Sequence, residues 1–228
     1  MQAGIERELK PDGTIVTAAD RAVETMLREE LPSLGMDAGT YGEEFGGEPE
    51  RADGLWCLDP IDGTSNYGYG SPLWGISIGL VQGEQAMLGA VFLPQLGEMY
   101  LAALGAGATM NGGRLPPIPS GVIRPEELVS YPDRVLRKHG EQEIPGKMRH
   151  TGAFIVDAAF ACAQRYRGLV GMREKLYDVA GSLCIAREVG ADVRYADGRA
   201  LELEPLKQPG ARLEKAWLIF PPGSDFRL

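Results

Sequence analysis

The chain is poor in the residues on which much enzyme chemistry depends. Of its 228 residues, two are histidine and three are cysteine. His139 and His150 are too few for a zinc centre or a catalytic triad to be the natural reading, and both read as surface or linker residues. Cys57, Cys162 and Cys184 are odd in number, dispersed and set in apolar sequence. That pattern argues against a disulfide framework and reads as reduced, buried thiols of a cytoplasmic protein. No apolar run reaches the roughly eighteen residues of a membrane span, and Met1–Lys10 has no apolar signal-peptide core. Positive charge is short as well: 23 Lys and Arg stand against 32 Asp and Glu, a net charge of −9. A general nucleic-acid binder is therefore not expected. No internal repeat or low-complexity tract occurs.

An apolar content of 44% suffices for a sizeable core, and the length fits one compact unit. Its chemistry centres on Asp59-Pro60-Ile61-Asp62-Gly63-Thr64. The apolar run Leu55–Leu58 reads as the end of a buried strand. Pro60 fixes its own φ and keeps Asp59 out of the helical region, and Gly63 permits a backbone conformation closed to other residues. Two carboxylates three residues apart at such a junction can face one cavity, where their repulsion needs a cation. Oxygen-only ligands suit Mg²⁺ or Mn²⁺ rather than zinc. Thr64 and the amides after Gly63 could open a helix and receive an anion. Taken as dipeptides, Asp-Pro and Asp-Gly also fit a plain surface turn.

Thr17-Ala18-Ala19-Asp20 opens an expected amphipathic helix, with Ala19, Ala22, Val23, Met26, Leu27 and Leu31 at helical spacing and Pro32 as its stop. Asp20 is placed to cap it. Glu43 and Glu44 alone read as a solvated pair. From residue 72 to 102, alternating stretches joined by tight turns argue for an antiparallel sheet. Residues 113–150 read as a proline-rich crossover with a short helix at 133–139, whose basic cluster reads as solvated. Apolar helices follow through Ala163 and from Ala180 to Val189, with Asp178 a possible N-cap, and 192–195 and 216–220 read as closing strands.

Asp59–Thr64, followed by Asn66 and Tyr67, resembles the signature of the inositol monophosphatase family. Lys10-x-Asp12-x-Thr14-x-Val16-Thr17-x-Ala19-Asp20, then Gly42-Glu43-Glu44, then Met110-Asn111-Gly112 and Asp178-Val179-Ala180 with Glu188-Val189-Gly190-Ala191, follow in that family's order. The resemblance implies an α+β fold, a layered αβαβα sandwich of two sheets and helices. In it, residues 1–112 form a metal-binding N-terminal portion and 113–228 a C-terminal portion that completes the active site.

The resemblance also implies the ligands and their roles. Glu43, Asp59, Asp62, Asp178 and the Ile61 carbonyl would hold two or three Mg²⁺ ions, with Asp59 bridging two of them. Glu43 and Thr64 would orient an attacking water, and Gly63, Thr64 and Ser65 would hold the phosphate through their amides. Gly152 and Phe154 would lie beside the substrate sugar, and Asp20 and Glu44 would support the site. The implied activity is hydrolysis of a small sugar or polyol phosphate by a cytoplasmic homodimer. A histidinol-phosphatase, a fructose-1,6-bisphosphatase or a non-catalytic binder on the same scaffold are the alternatives. The chain departs from the family at Tyr177, which replaces Trp, and at Gly181, one place early. It departs at Gly171, where a polyol-gripping glutamate is expected while Glu174 is offset, and in having nine residues before Lys10 where a helix pair is usual.

Overall fold

The computed structural model describes residues 6–10, 13, 15–139 and 144–228. Asp12 and Thr14 of the N-terminal motif lie outside the described residues. The chain opens with a hairpin, β1 (Arg7–Leu9) antiparallel to β2 (Ile15–Thr17), and enters α1 (Ala18–Glu30) directly. There follow β3 (Ala38–Gly42), β4 (Gly46–Gly47), β5 (Gly54–Asp62), α2 (Thr64–Gly68), β6 (Gly75–Gln82), β7 (Gln85–Leu93), β8 (Glu98–Ala103), β9 (Gly107–Met110) and β10 (Gly113–Arg114). The second half holds β11 (Leu128–Ser130), α3 (Asp133–His139), β12 (Lys147–Arg149), α4 (Phe154–Cys162), β13 (Gly168–Gly171), α5 (Leu176–Glu188), β14 (Asp192–Tyr195) and β15 (Trp217–Phe220).

Two sheets result. The larger has the order β10-β9-β8-β7-β6-β5-β3-β4, antiparallel except for the β3/β5 pair; the smaller has the order β12-β11-β13-β15-β14. Three apolar clusters mark the interfaces between layers. Trp56, Leu58 and Leu80 lie on one face of the large sheet, with Leu27 and Leu31 at the end of α1 packed on them. The main core fills the space between the sheets around α4 and α5. Val129, Tyr131, Val135, Leu218 and Phe220 join α3 to the outer face of the small sheet. The order is helix, sheet, helices, sheet, helix, the αβαβα sandwich that the resemblance implies. α4 and α5 are apolar nearly all round, as helices buried between two sheets must be.

Two expectations need correction. The apolar stripe on α1 is only half used: Met26 is 51% exposed, while Asp20 and Glu24 are fully buried. Hydrogen bonds to both carboxylates make that burial tolerable, and they turn the acidic stripe of the helix inward. Residues 113–150 are more than a crossover with a helix. They supply β11 and β12, three residues each, paired in parallel with one another, and β11 pairs in parallel with β13 as well. Strands so short, paired at long range, leave no local periodicity. Among the described residues, no helix is long and apolar enough to cross a membrane.

Candidate active site

The site forms where β5 breaks its regular pairing. In an undisturbed strand, residues three apart point to opposite faces, so Asp59 and Asp62 would diverge. Asp59 pairs with Ser77 and Asp62 with Gly75, so three residues on β5 span two on β6. This extra residue is a bulge, and both carboxylates line one cavity of about 430 Å³. Gly63 then turns the chain at φ +84°, and α2 starts at Thr64. Asn66 Nδ2 donates to the carbonyls of Leu73 (2.6 Å) and Thr151 (2.9 Å), tying this turn to the approach to α4.

Each carboxylate is held by a different part of the fold. Asp62 Oδ2 accepts the Ile155 amide at 2.5 Å. It thus satisfies a first-turn amide of α4, whose own cap residue, Ala153, has no side chain to do so. Asp178 sits in the first turn of α5, where its Oδ2 accepts the Lys175 amide at 2.7 Å. It is therefore the third helical residue rather than the N-cap, because the helix begins at Leu176 and Lys175 caps it. Glu43 follows the end of β3. Asp20 Oδ2 accepts the Thr17 amide (2.8 Å) and hydroxyl (2.6 Å), and the Thr64 hydroxyl lies 3.1 Å from its Oδ1 and 3.0 Å from the Ile61 carbonyl. Asp20 therefore caps α1 and reaches the site at once.

Glu43, Asp59, Ile61, Asp62, Gly63, Thr64, Ser65, Gly152, Phe154 and Asp178 all line the cavity, with Leu9, Gly13 and Ile15 closing it from the β1–β2 hairpin. Asp20 and Glu44 stand behind its wall. Cavities of about 620 and 610 Å³ lie elsewhere, so the acidic lining, and not size, singles this one out.

The electrostatics are those of crowded negative charge. Burial, then the charges of Glu43, Asp62, Asp178 and Asp20, push the Asp59 carboxyl well above its ordinary range. Burial raises Asp62 to about 7, against the opposing pull of the Ile155 amide, and Glu43, Asp157 and Glu174 add to the rise. Asp178 is raised chiefly by burial as well. Lys10 is the nearby cation, with Nζ 2.9 Å from Glu43 Oε1 and 2.6 Å from Glu44 Oε1. Burial pulls its pKa down, but the two glutamates outweigh that and leave it raised.

Asp59 is 2% exposed, and its Oδ1 is buried with no hydrogen-bond partner. A buried, unpaired carboxylate oxygen is costly, and a hard cation in the cavity would satisfy it. The all-oxygen donor set fits Mg²⁺ on chemistry. Among the described residues, no three His, Cys, Asp or Glu side chains are closed into a metal-holding group.

Some residues of the site were not singled out from the sequence. Glu24 Oε2 accepts the Glu44 amide at 2.7 Å and Oε1 the Phe45 amide at 3.3 Å, while Arg28 pairs with it at 2.8 Å. A side chain at Gly42 would overlap that carboxylate, which accounts for the glycine before Glu43. The spacing Asp20, Glu24, Arg28 was the available signal. Glu174, the offset acid, does not reach the cavity. It accepts Trp217 Nε1 at 2.7 Å and the Met172 amide at 3.0 Å, and Trp217 in turn packs on Phe154 with ring centroids 5.6 Å apart.

The sequence and the fold match known proteins. The model of the inositol monophosphatase family matches residues 2–217. A fructose-1,6-bisphosphatase/inositol-1-monophosphatase of Aquifex aeolicus is 32% identical over 193 residues, 80% of this chain and 73% of that protein. A histidinol-phosphatase of Chlorobaculum parvum is 43% identical over 103 residues, 45% of this chain and 40% of its own. The solved structure of a Thermotoga maritima IMPase superposes with a TM-score of 0.78 at 29% identity, covering 93% of this chain and 81% of the other.

Proposed function

Since the chain belongs to the inositol monophosphatase family and is a phosphatase on that scaffold, we propose that it is a Mg²⁺-dependent phosphomonoesterase acting on a small sugar or polyol phosphate. The observation that carries this reading is the buried, unpartnered Asp59 Oδ1, set among Glu43, Asp62 and Asp178 around one cavity. Those four carboxylates and the Ile61 carbonyl would hold the ions. Bound there, Mg²⁺ would neutralise the phosphate oxygens and favour ionisation of water at neutral pH.

The remaining work falls to this chain's own groups. In this reading water is the nucleophile and no residue is phosphorylated. Thr64 has one hydroxyl hydrogen. When it is donated to Asp20 Oδ1 at 3.1 Å, a lone pair is left to accept a hydrogen from the attacking water. Glu43, its side chain 20% exposed, borders the cavity and takes up the water's proton. The amides of Gly63, Thr64 and Ser65, at the turn into α2, bind the phosphate oxygens. Gly152 and Phe154 border the sugar, with Phe154 braced by Trp217.

The test is phosphate release from inositol, sugar and histidinol phosphates, with Mg²⁺ and with chelator. Turnover that needs Mg²⁺ supports the reading. Mg²⁺ binding by calorimetry with no ester turned over would instead make the protein a non-catalytic binder.

A further inference from the structure

The lining of the carboxylate cavity is of two kinds. Glu43, Asp59, Asp62 and Asp178 make it acidic, whereas Leu9, Ile15 and Phe154 bring apolar side chains to it. Phe154 is packed on a second ring. Trp217, on β15, is fully buried, and its ring centroid lies 5.6 Å from that of Phe154 at an interplanar angle of 43°. Trp217 pairs in register with Gly171 of β13, and a side chain at 171 would overlap the indole. The glycine at 171, where the resemblance leads one to expect an acid, therefore makes room for Trp217.

The indole is in turn fixed by an acid. Glu174 Oε2 accepts Trp217 Nε1 at 2.7 Å, and Oε1 accepts the Met172 amide at 3.0 Å. Burial raises this carboxyl above its ordinary range, so keeping an acid here costs stability. The corner that carries Glu174 is tied down as well. The Arg173 amide donates to the Leu213 carbonyl at 2.8 Å, and the Leu213 amide donates to the Glu174 carbonyl at 2.9 Å. Arg173 itself sits at φ +81°, a left-handed conformation rare outside glycine, asparagine and aspartate. Strain of that kind persists where the surrounding structure imposes it, and it gathers at ligand sites.

A ring that packs on Trp217 and borders the cavity has little freedom left to lose when a ligand meets it, and apolar contact area is what it offers that ligand. We infer that Glu174 and Trp217 are positioning residues that lock the Phe154 ring as the wall against which the alcohol part of the ester packs. Recognition on that side is by apolar contact, in place of an acid at 171. The inference rests on the phosphatase reading above and assigns residues that set its selectivity without touching the substrate.

The experiment measures KM and kcat, with Mg²⁺, for three ring-bearing esters (inositol 1-phosphate, fructose 1-phosphate and histidinol phosphate) and for the small acyclic glycerol 2-phosphate. Glu174→Ala and Trp217→Phe are each made alone and together with Phe154→Leu, and thermal melting verifies that they fold. Each single change is expected to raise KM by about threefold or more for the ring-bearing esters that are hydrolysed, the size of one aromatic contact. The kcat values and the KM for glycerol 2-phosphate should stay within about twofold of wild type. Phe154→Leu should raise the same KM values, and in its background neither other change should raise them further, because a residue that acts through Phe154 has nothing left to act on. A loss of kcat on every ester, or an effect that adds to that of Phe154→Leu, is what a purely structural role gives, and either overturns the inference. So does a Phe154→Leu protein with unchanged KM, a result that needs neither other variant to fold. Hydrolysis of glycerol 2-phosphate and of no ring-bearing ester overturns it too and leaves the phosphatase reading standing. Release from no ester sinks the phosphatase reading and the inference with it.

Discussion

Glu24 holds Glu44 in place from twenty residues away. Its Oε2 accepts the Glu44 amide at 2.7 Å, inside a pocket where the Glu24 side chain is fully buried. The acid that fixes the turn carrying Glu43 thus lies on a helix and outside the motif itself. Glu24→Ala would leave two amides without an acceptor and Arg28 with only the Gly46 carbonyl. Loss of one partner of a buried ion pair costs about 3 kcal/mol, so a shift of that size in urea unfolding is expected, together with weaker Mg²⁺ binding. A loss under about 1 kcal/mol would show that the turn holds itself.

Gly63 makes the turn between the two halves of the site. Its φ is +84°, and a Cβ there would stand 2.8 Å from the Ala153 Cβ. The left-handed conformation alone costs an alanine about 1–2 kcal/mol, and the overlap adds to it. Gly63→Ala is therefore expected to lower stability by about 2 kcal/mol or more and to reduce kcat, because the amides of Thr64 and Ser65 shift with the turn. Melting and steady-state kinetics on the same preparation read both effects.

The raised carboxyls predict how the cation-free protein responds to pH. Asp62 rises from 3.8 to about 7 on folding, through burial first and the neighbouring acids after it. A carboxyl whose folded pKa lies above its unfolded value holds its proton more tightly in the folded state. Ionising it therefore costs the fold, and stability falls as pH rises from about 4 to about 7. Asp59 and Asp178 are shifted in the same direction. Mg²⁺ should remove this loss, and at a hundredfold its dissociation constant it adds about 2.7 kcal/mol. Melting temperature against pH, with chelator and with Mg²⁺, measures it. Two parallel, flat curves would contradict the account.

Much of the site was legible because its residues are contiguous or lie in ordered motifs. Asp59 to Thr64 announces a strand, a turn and a helix start within six residues, and Glu43 and Asp178 sit in short motifs of their own. The reason Asp59 and Asp62 share a cavity was not legible, since the bulge depends on where β6 pairs. Glu24 was hidden because an acid four residues from another on a helix reads as a solvated face. In the fold, β6, β7 and β8 showed in alternation and turns, whereas β11 and β12 are too short to carry a pattern.

Asp59→Asn tests the central claim most directly. Asp59 is the buried carboxylate with an unpaired oxygen at the middle of the site, and the amide keeps its shape while removing its charge. The account predicts that phosphate release with Mg²⁺ falls by at least about a hundredfold, roughly 2.7 kcal/mol of transition-state stabilisation. It also predicts that the metal-free variant melts no lower than wild type, because a buried, uncompensated charge is gone. Full activity in the folded variant would contradict it.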